Sequence, residues 1–400
     1  MNDDLAAYLV RVLLRYFRKG NQQFLASTAV HESDRDLLLL QWSVSERVRD
    51  LCLYLTHQPH EMQPALQARA MTARGGIRGR ICAAESVLLQ ERSGDGSVFV
   101  YDEPFRSFDA GPNRVLGWTL AYAVRLASRF RTLLPPEATY YDRILERLRL
   151  LQDVRRALPY TGGPVAVPTA GDVRAARASR LLLYRKAAEA YDNLRAVERL
   201  EEQALEHLLM HSLVGPMERW RQFELALALS MANAIAHRIR AEVSLKSILP
   251  GTADAIIDVG PFGVRWQQAG PGFTPIAFEG WEAREVEIIR EYGLSPGYER
   301  PDVVVFSRRT NLVVAVGEAK YFDRDDWRDR LRHAARQIVT YARAYGGKQD
   351  VNELLGRSII ALWSAGDQAP KPTTAGAPWV TSFEEMRSGL DTWATRALPE

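Results

Sequence analysis

The chain has 400 residues, of which 25% are charged and 46% hydrophobic, and its formal net charge is +3. That balance fits a folded globular protein of two or three domains and excludes a disordered, fibrous or strongly basic chain. No apolar run approaches the ~20 residues of a membrane span. The two cysteines, Cys52 and Cys82, stand in unrelated contexts, which excludes a disulfide framework or a Cys-rich zinc module and points to a reducing, cytoplasmic setting.

The opening "MNDDLAAYLVRVLLRYFRKG" reads as an amphipathic helix ending at Gly20, with acids at its start and no cleavage signature of a signal peptide. Residues 1–70 read as mostly helical. Residues 74–108 read as β-like, punctuated by Gly75, Gly76 and Gly79, with "SGDGS" as a hairpin turn. A helix restarts at "GPNRVLGWTLAYAVRLASRFRTLL", and a Pro/Gly-rich break at 159–171 precedes a long helical hairpin over 172–212. Pro216 can open the next helix, "PMERWRQFELALALSMANAIAHRIRAEV". Strand-like segments follow at 253–266 and 275–292, then two Val-rich runs around 302–320, a helix at about 324–346 and a strand at 357–363. A polar linker leads to a last short helix. These boundaries divide the chain into an N-terminal helical/β adaptor (1–158), a helical connector (172–212), a C-terminal α/β domain (213–365) and a tail (366–400). The expected fold is thus an α/β C-terminal domain, a central mixed sheet flanked by helices, behind a mainly helical N-terminal half with a small β element.

The stretch "ERPDVVVFSRRTNLVVAVGEAKYF" carries the chemistry. Glu318 and Lys320 lie two apart on a predicted strand, so both side chains share one face and Ala319 takes the other. "RRTN" (308–311) looks like the turn of an antiparallel hairpin. If that hairpin pivots on Thr310, Asp302 lies directly across from Glu318. A pivot half a residue earlier puts Asp302 on the wrong face, so the chemistry demands an odd-length loop or a bulge. Two carboxylates at one sheet end repel unless a cation neutralises them. Hard oxygen ligands suit Mg²⁺ or Mn²⁺, with lysine free to orient a metal-bound water or screen a phosphate. The chain holds only six lysines against 46 arginines, which makes a lysine at this spot more telling.

"RPDVVVF…VVAVGEAKYF" resembles the core of the PD-(D/E)xK nuclease superfamily. That resemblance implies a Mg²⁺-dependent endonuclease domain with Asp302, Glu318 and the Ala319 carbonyl on the metal and Lys320 positioning the attacking water. The superfamily also carries a glutamate on the helix before the sheet, matched by Glu224 in "PMERWRQFELALAL", which would complete the metal site directly or through water. A Gln-x-x-x-Tyr on the following helix is matched by Gln337 and Tyr341, with Gln337 orienting a phosphate or water. Structural roles for Glu224, Gln337 and Tyr341 stay open. A narrower resemblance, to McrC-like restriction subunits, runs through "RGGIRGRI" (74–81), "GPNRVLGWTLAYAV" (111–124), the helical hairpin and the nuclease core. It implies a role in defence against foreign DNA, beside a partner AAA+ NTPase. "AYGGKQD" is no P-loop, so no nucleotide-hydrolysing site of the chain's own is expected. The segment 74–80, with Arg74, Arg78 and Arg80, is the candidate docking arm, DNA clamping being the alternative. A repair nuclease and a non-catalytic DNA-binding subunit remain rival readings. His207 and His211 at i, i+4 lack a third ligand and read as structural.

Overall fold

A computed structural model describes residues 3–23, 32–107, 111–133, 141–157, 166–215, 217–245, 257–276, 278–293, 300–322, 327–347, 349–363, 369–374 and 376–398. Pro216, most of the expected break at 159–171, residues 253–256 and Lys348 of "AYGGKQD" lie outside the described residues. The chain is a mixed α/β protein in two compact units: 1–45 with 130–143 and 196–400, and 46–129 with 144–195.

In the first unit, α1 (Asp3–Gln23) and α2 (Glu32–Ser43) open the chain. The second unit runs from α3 (Glu46–His57) through β1 (Ala65–Arg74), β2 (Arg80–Ile81), α4 (Ala83–Ser93) and β3 (Val98–Ser107) into α5 (Pro112–Leu133). It resumes with most of α6 (Tyr141–Ala157), α7 (Ala170–Arg177) and most of α8 (Leu182–Glu198). Its sheet has the order β1-β3-β2. "CAAESVLLQERS" is therefore helix, not strand, and Gly94 closes that helix in a left-handed cap (φ 65°) before β3 begins. Ser86 explains the difference. Its hydroxyl donates to the Cys82 carbonyl one turn back and takes the Val100 N–H at 2.8 Å, so the helix is pinned across β3. Asn113 of the "GPNR" motif is buried. It donates to the Gln63 carbonyl at 2.7 Å and accepts from the Tyr184 hydroxyl at 2.7 Å.

The first unit continues with α9 (Glu202–Leu208), which passes into a π turn (Leu209–Val214), and α10 (Arg219–Ile239). It then adds β4 (Val243–Leu245), β5 (Ile257–Val259), β6 (Phe262–Trp266) and α11 (Gly280–Glu291). Next come β7 (Val303–Ser307), β8 (Val313–Lys320), α12 (Trp327–Tyr345), α13 (Val351–Arg357) and β9 (Ile359–Leu362). β10 (Trp379–Ser382), α14 (Phe383–Ser388) and α15 (Asp391–Ala397) close the chain. The sheet is mixed, in the order β10-β9-β8-β7-β6-β5-β4. β8, β9 and β10 run parallel, and the remaining neighbours antiparallel. Two expectations fail here. The segment expected as strand over 275–292 forms α11, because its apolar positions recur at helical spacing. The tail supplies a sheet strand, β10, and a fully buried Trp393 whose indole N–H reaches the Arg357 carbonyl at 2.9 Å.

Helix α10 is buried almost all round, as a helix enclosed by packed elements must be. α1 lies against it, with the Tyr8 hydroxyl 2.8 Å from Ser230 and the Tyr16 hydroxyl donating to Asn233 at 2.9 Å. α10 also packs on α15 and on the sheet, and β8 is shaped for that contact. Alternate residues Ala315, Gly317 and Ala319 are small and buried. A Cβ at Gly317 meets Met231 Sδ at 2.9 Å, Val303 Cβ at 3.1 Å and Leu227 Cδ2 at 3.2 Å. The opposite face carries Val304, Phe306 and Val316, which pack on Ile338, Tyr341 and Tyr345 of α12.

Gly317→Val should thus overpack the α10 interface and lower stability by about 1–3 kcal/mol, read as a reduced denaturant midpoint. An unchanged midpoint contradicts this close packing.

Candidate active site

The β7–β8 hairpin fixes the central pair. Val303 pairs with Gly317, Val304 with Val316 and Val305 with Ala315, each pair summing to 620, and the register shifts at Val305/Phe306 so that Phe306 pairs with Val313. Val314 is the extra residue. Asn311, at φ 54°, and Thr310 close the turn back onto Ser307. The sequence argument required a bulge or an odd loop to bring Asp302 across from Glu318, and the bulge supplies it: one residue further along the same register, 302 faces 318. The Ala319 N–H donates to Asp302 Oδ2 at 2.8 Å. A strand residue points its N–H and C=O to the same side, so the Ala319 carbonyl faces the β7 edge as well. The Lys320 carbonyl faces the other way, accepting from Trp363 N–H at 3.1 Å.

Glu318 is 1% exposed. Lys320 donates to its Oε1, and Oε2 is buried with no hydrogen-bond partner. Burial first, then the negative charge of Asp302, pushes the Glu318 carboxyl well above its ordinary range, with Lys320 offsetting part of the rise. Asp302 is half-buried, and burial raises its carboxyl too, against Lys320, the Ala319 N–H and Arg300. Glu224 arrives from α10. Its Oε2 accepts from Gln267 Nε2 at 2.7 Å and from Trp266 Nε1 at 3.3 Å. Burial, followed by the Asp302 charge, lifts it to about 8. Asp302, Glu318, Lys320 and Glu224 are thus brought into one electrostatic cluster.

Gln337 is buried on α12, one turn before Tyr341, in the face that lies on the sheet. Tyr341 has a positioning part: its hydroxyl donates to the Arg300 carbonyl at 2.8 Å, tying down the segment that carries Asp302. Phe223 is core, in an aromatic cluster with Tyr321, Trp363 and Phe383, whereas Trp220 is 41% exposed. His207 and His211 face each other at 4.2 Å between ring centroids. Among the described residues no three His, Cys, Asp or Glu side chains form a group that could hold a metal ion.

Gln267 was missed in the sequence. It sits just past β6 in a left-handed conformation (φ 54°), takes Glu224 on its side chain, and donates its N–H to the Asp302 carbonyl at 2.8 Å. Arg300 donates to the Gln267 carbonyl at 3.0 Å. One glutamine therefore ties Glu224 to Asp302, and nothing in "RWQQ" marks which glutamine does so.

The donor set can be tested against a divalent cation. An orphaned buried carboxylate oxygen, Glu318 Oε2, beside a second carboxylate and a strand carbonyl facing the same edge is a hard-oxygen set that fits Mg²⁺ or Mn²⁺. The fit is to two carboxylates and a carbonyl, with Glu224 held back by Gln267 and Trp266.

No protein-family model matches the chain, and neither does any curated protein sequence. Among solved structures, a chain of a Thermococcus gammatolerans assembly of McrB AAA+ hexamers with bound McrC is 12% identical, with a TM-score of 0.25. The match covers 88% of the present chain and 66% of that chain. A likeness of that size leaves function to the residues themselves.

Asp302→Asn keeps an acceptor for the Ala319 N–H while removing one of two buried like charges. It should raise the melting temperature without metal by a few degrees and abolish stabilisation by Mn²⁺. Wild-type thermal shifts with and without Mn²⁺ in this variant contradict the assignment.

Proposed function

We propose that the chain is a Mg²⁺- or Mn²⁺-dependent nuclease that hydrolyses phosphodiester bonds in DNA. The observation that carries this reading is the bulged hairpin that sets Asp302 across from Glu318, with Lys320 on Glu318 and an oxygen of Glu318 left without a donor. Asp302, Glu318 and the Ala319 carbonyl would hold the cation. The bound cation supplies charge neutralisation and lowers the pKa of a coordinated water. Lys320 would orient the attacking water and screen the phosphate. Glu224 sets the local charge from behind, fixed by Gln267 and Trp266, and Gln337 contributes from α12.

Asp302→Asn, Glu318→Gln and Lys320→Ala should each lower plasmid cleavage at least ~100-fold, the scale on which removal of one acid–base or charge-stabilising group acts, with folding retained. Glu224→Gln should act more mildly. Wild-type cleavage rates in Lys320→Ala overturn the mechanism.

The proposal extends to the setting. Resemblance to McrC-like subunits supports a defence role beside an AAA+ NTPase, the chain having no P-loop of its own. Its candidate docking segment is half engaged: Arg74 pairs with Asp95 at 3.1 Å, while Arg78 and Arg80 are exposed beside the 47%-exposed Ile81. Alanine at Arg78 and Arg80 should abolish co-purification with such an NTPase while leaving DNA affinity unchanged. Reduced DNA affinity with intact co-purification identifies a DNA clamp instead.

A further inference from the structure

Helix α12 does more than cover the sheet. Its buried face consists of Ala334, Gln337, Ile338, Tyr341, Ala342, Ala344 and Tyr345. Arg330, Arg332, His333 and Arg336 are exposed. At 3.6 residues per turn, Arg330, His333 and Gln337 fall within about 60° of one another, and Arg336 follows about 60° beyond His333. A flank of the helix therefore passes from a buried glutamine to a basic, open edge.

That edge lies within electrostatic reach of the carboxylate cluster through Lys320. Lys320, Arg330 and Arg336 all act on His333, and Glu285 of α11 is the acid that opposes them. Partial burial, then these three cations, hold the imidazole below its ordinary value, so at neutral pH it offers an N–H donor. Arg332 is already paired with Asp329 at 2.7 Å. Among the described residues Arg330 and Arg336 enter no ion pair. Arg330, Arg336 and His333 thus form an exposed basic edge, and Lys320, which is paired with Glu318, links it to the carboxylate cluster. The shape of that field fits a phosphodiester chain that passes the metal and continues along the helix.

We propose that Arg330, His333 and Arg336 are phosphate-contact residues that hold the nucleic-acid backbone next to the bond being cut. The two guanidinium forks match phosphate oxygens, and the imidazole donates a single hydrogen bond one turn from Gln337. This rests on the nuclease reading above and adds which way the strand runs: from the β8 end along the outer edge of α12.

The test uses the full chain carrying Asp302→Asn, which binds without cutting, and a short DNA duplex as the probe. Adding Arg330→Ala and Arg336→Ala should reduce the slope of log affinity against log salt by about 2, close to one for each lost phosphate contact. Affinity at moderate salt should fall at least ~10-fold. In the otherwise wild-type chain, His333→Ala should raise KM several-fold with kcat within about twofold, and His333→Gln should recover part of the loss. Cleavage by the wild type with an unchanged salt slope in the double variant overturns the phosphate edge alone. A wild-type chain that neither binds Mn²⁺ nor cuts DNA overturns the nuclease reading, and the edge with it.

Discussion

Two carboxyl groups set side by side, one almost fully buried and the other half-buried, form a costly arrangement that its surroundings in the first unit hold in place. Glu318 is almost fully buried with one oxygen unanswered. Left alone, the pair stays protonated or moves apart. Both residues are tethered. Asp302 is held at its side chain by the Ala319 N–H and at its carbonyl by Gln267. Glu318 lies on a central strand between β7 and β9 and is clasped by Lys320. Strain of this kind persists only where the surroundings over-determine it, and here backbone ladders, a buried tyrosine and a left-handed glutamine all contribute.

One strand serves packing on one face and carries the carboxylate cluster on the other. The even positions of β8, Val316, Glu318 and Lys320, pass from core to site along one face. The odd positions Ala315, Gly317 and Ala319 are kept small so that α10 can lie close. That closeness lets Glu224 reach the other carboxylates from behind the sheet. Aromatic contacts among Phe223, Tyr321, Trp363 and Phe383 lock the helix to the strand end beside the lysine. A change in strand register by one residue would exchange the two faces and lose both the close packing and the carboxylate cluster.

The parts legible in the sequence were those set by local periodicity. The alternation in "VVAVGEAK" put Glu318 and Lys320 on one face, and the count around Thr310 required the irregularity that appears at Val305/Phe306. Long helices such as α5, α10 and α12 followed from their apolar spacing. What stayed hidden depends on distant partners. α4 is helical because Ser86 bonds across β3. The residues after 378 form a strand because β9 offers them a free edge. Gln267 matters through a backbone angle, and no residue type announces that. His333 carries its charge environment from α11 and β8 at once, so its neighbours in sequence reveal only half of it.

Helix α10 packs against both α1 and α15 as well as the sheet, so elements far apart in sequence complete the enclosure around it. During synthesis the ribosome releases Glu224, Asp302 and Glu318 well before the segment that seals their helix. A nascent chain therefore carries the site's acids on a half-open scaffold while the stretch from β8 to the end of α15, about 80 residues, is made, some four to sixteen seconds at ordinary elongation rates. Over that interval the carboxylates have their neighbours in sequence but not their enclosure, and the cluster takes its final geometry as one of the last events of folding.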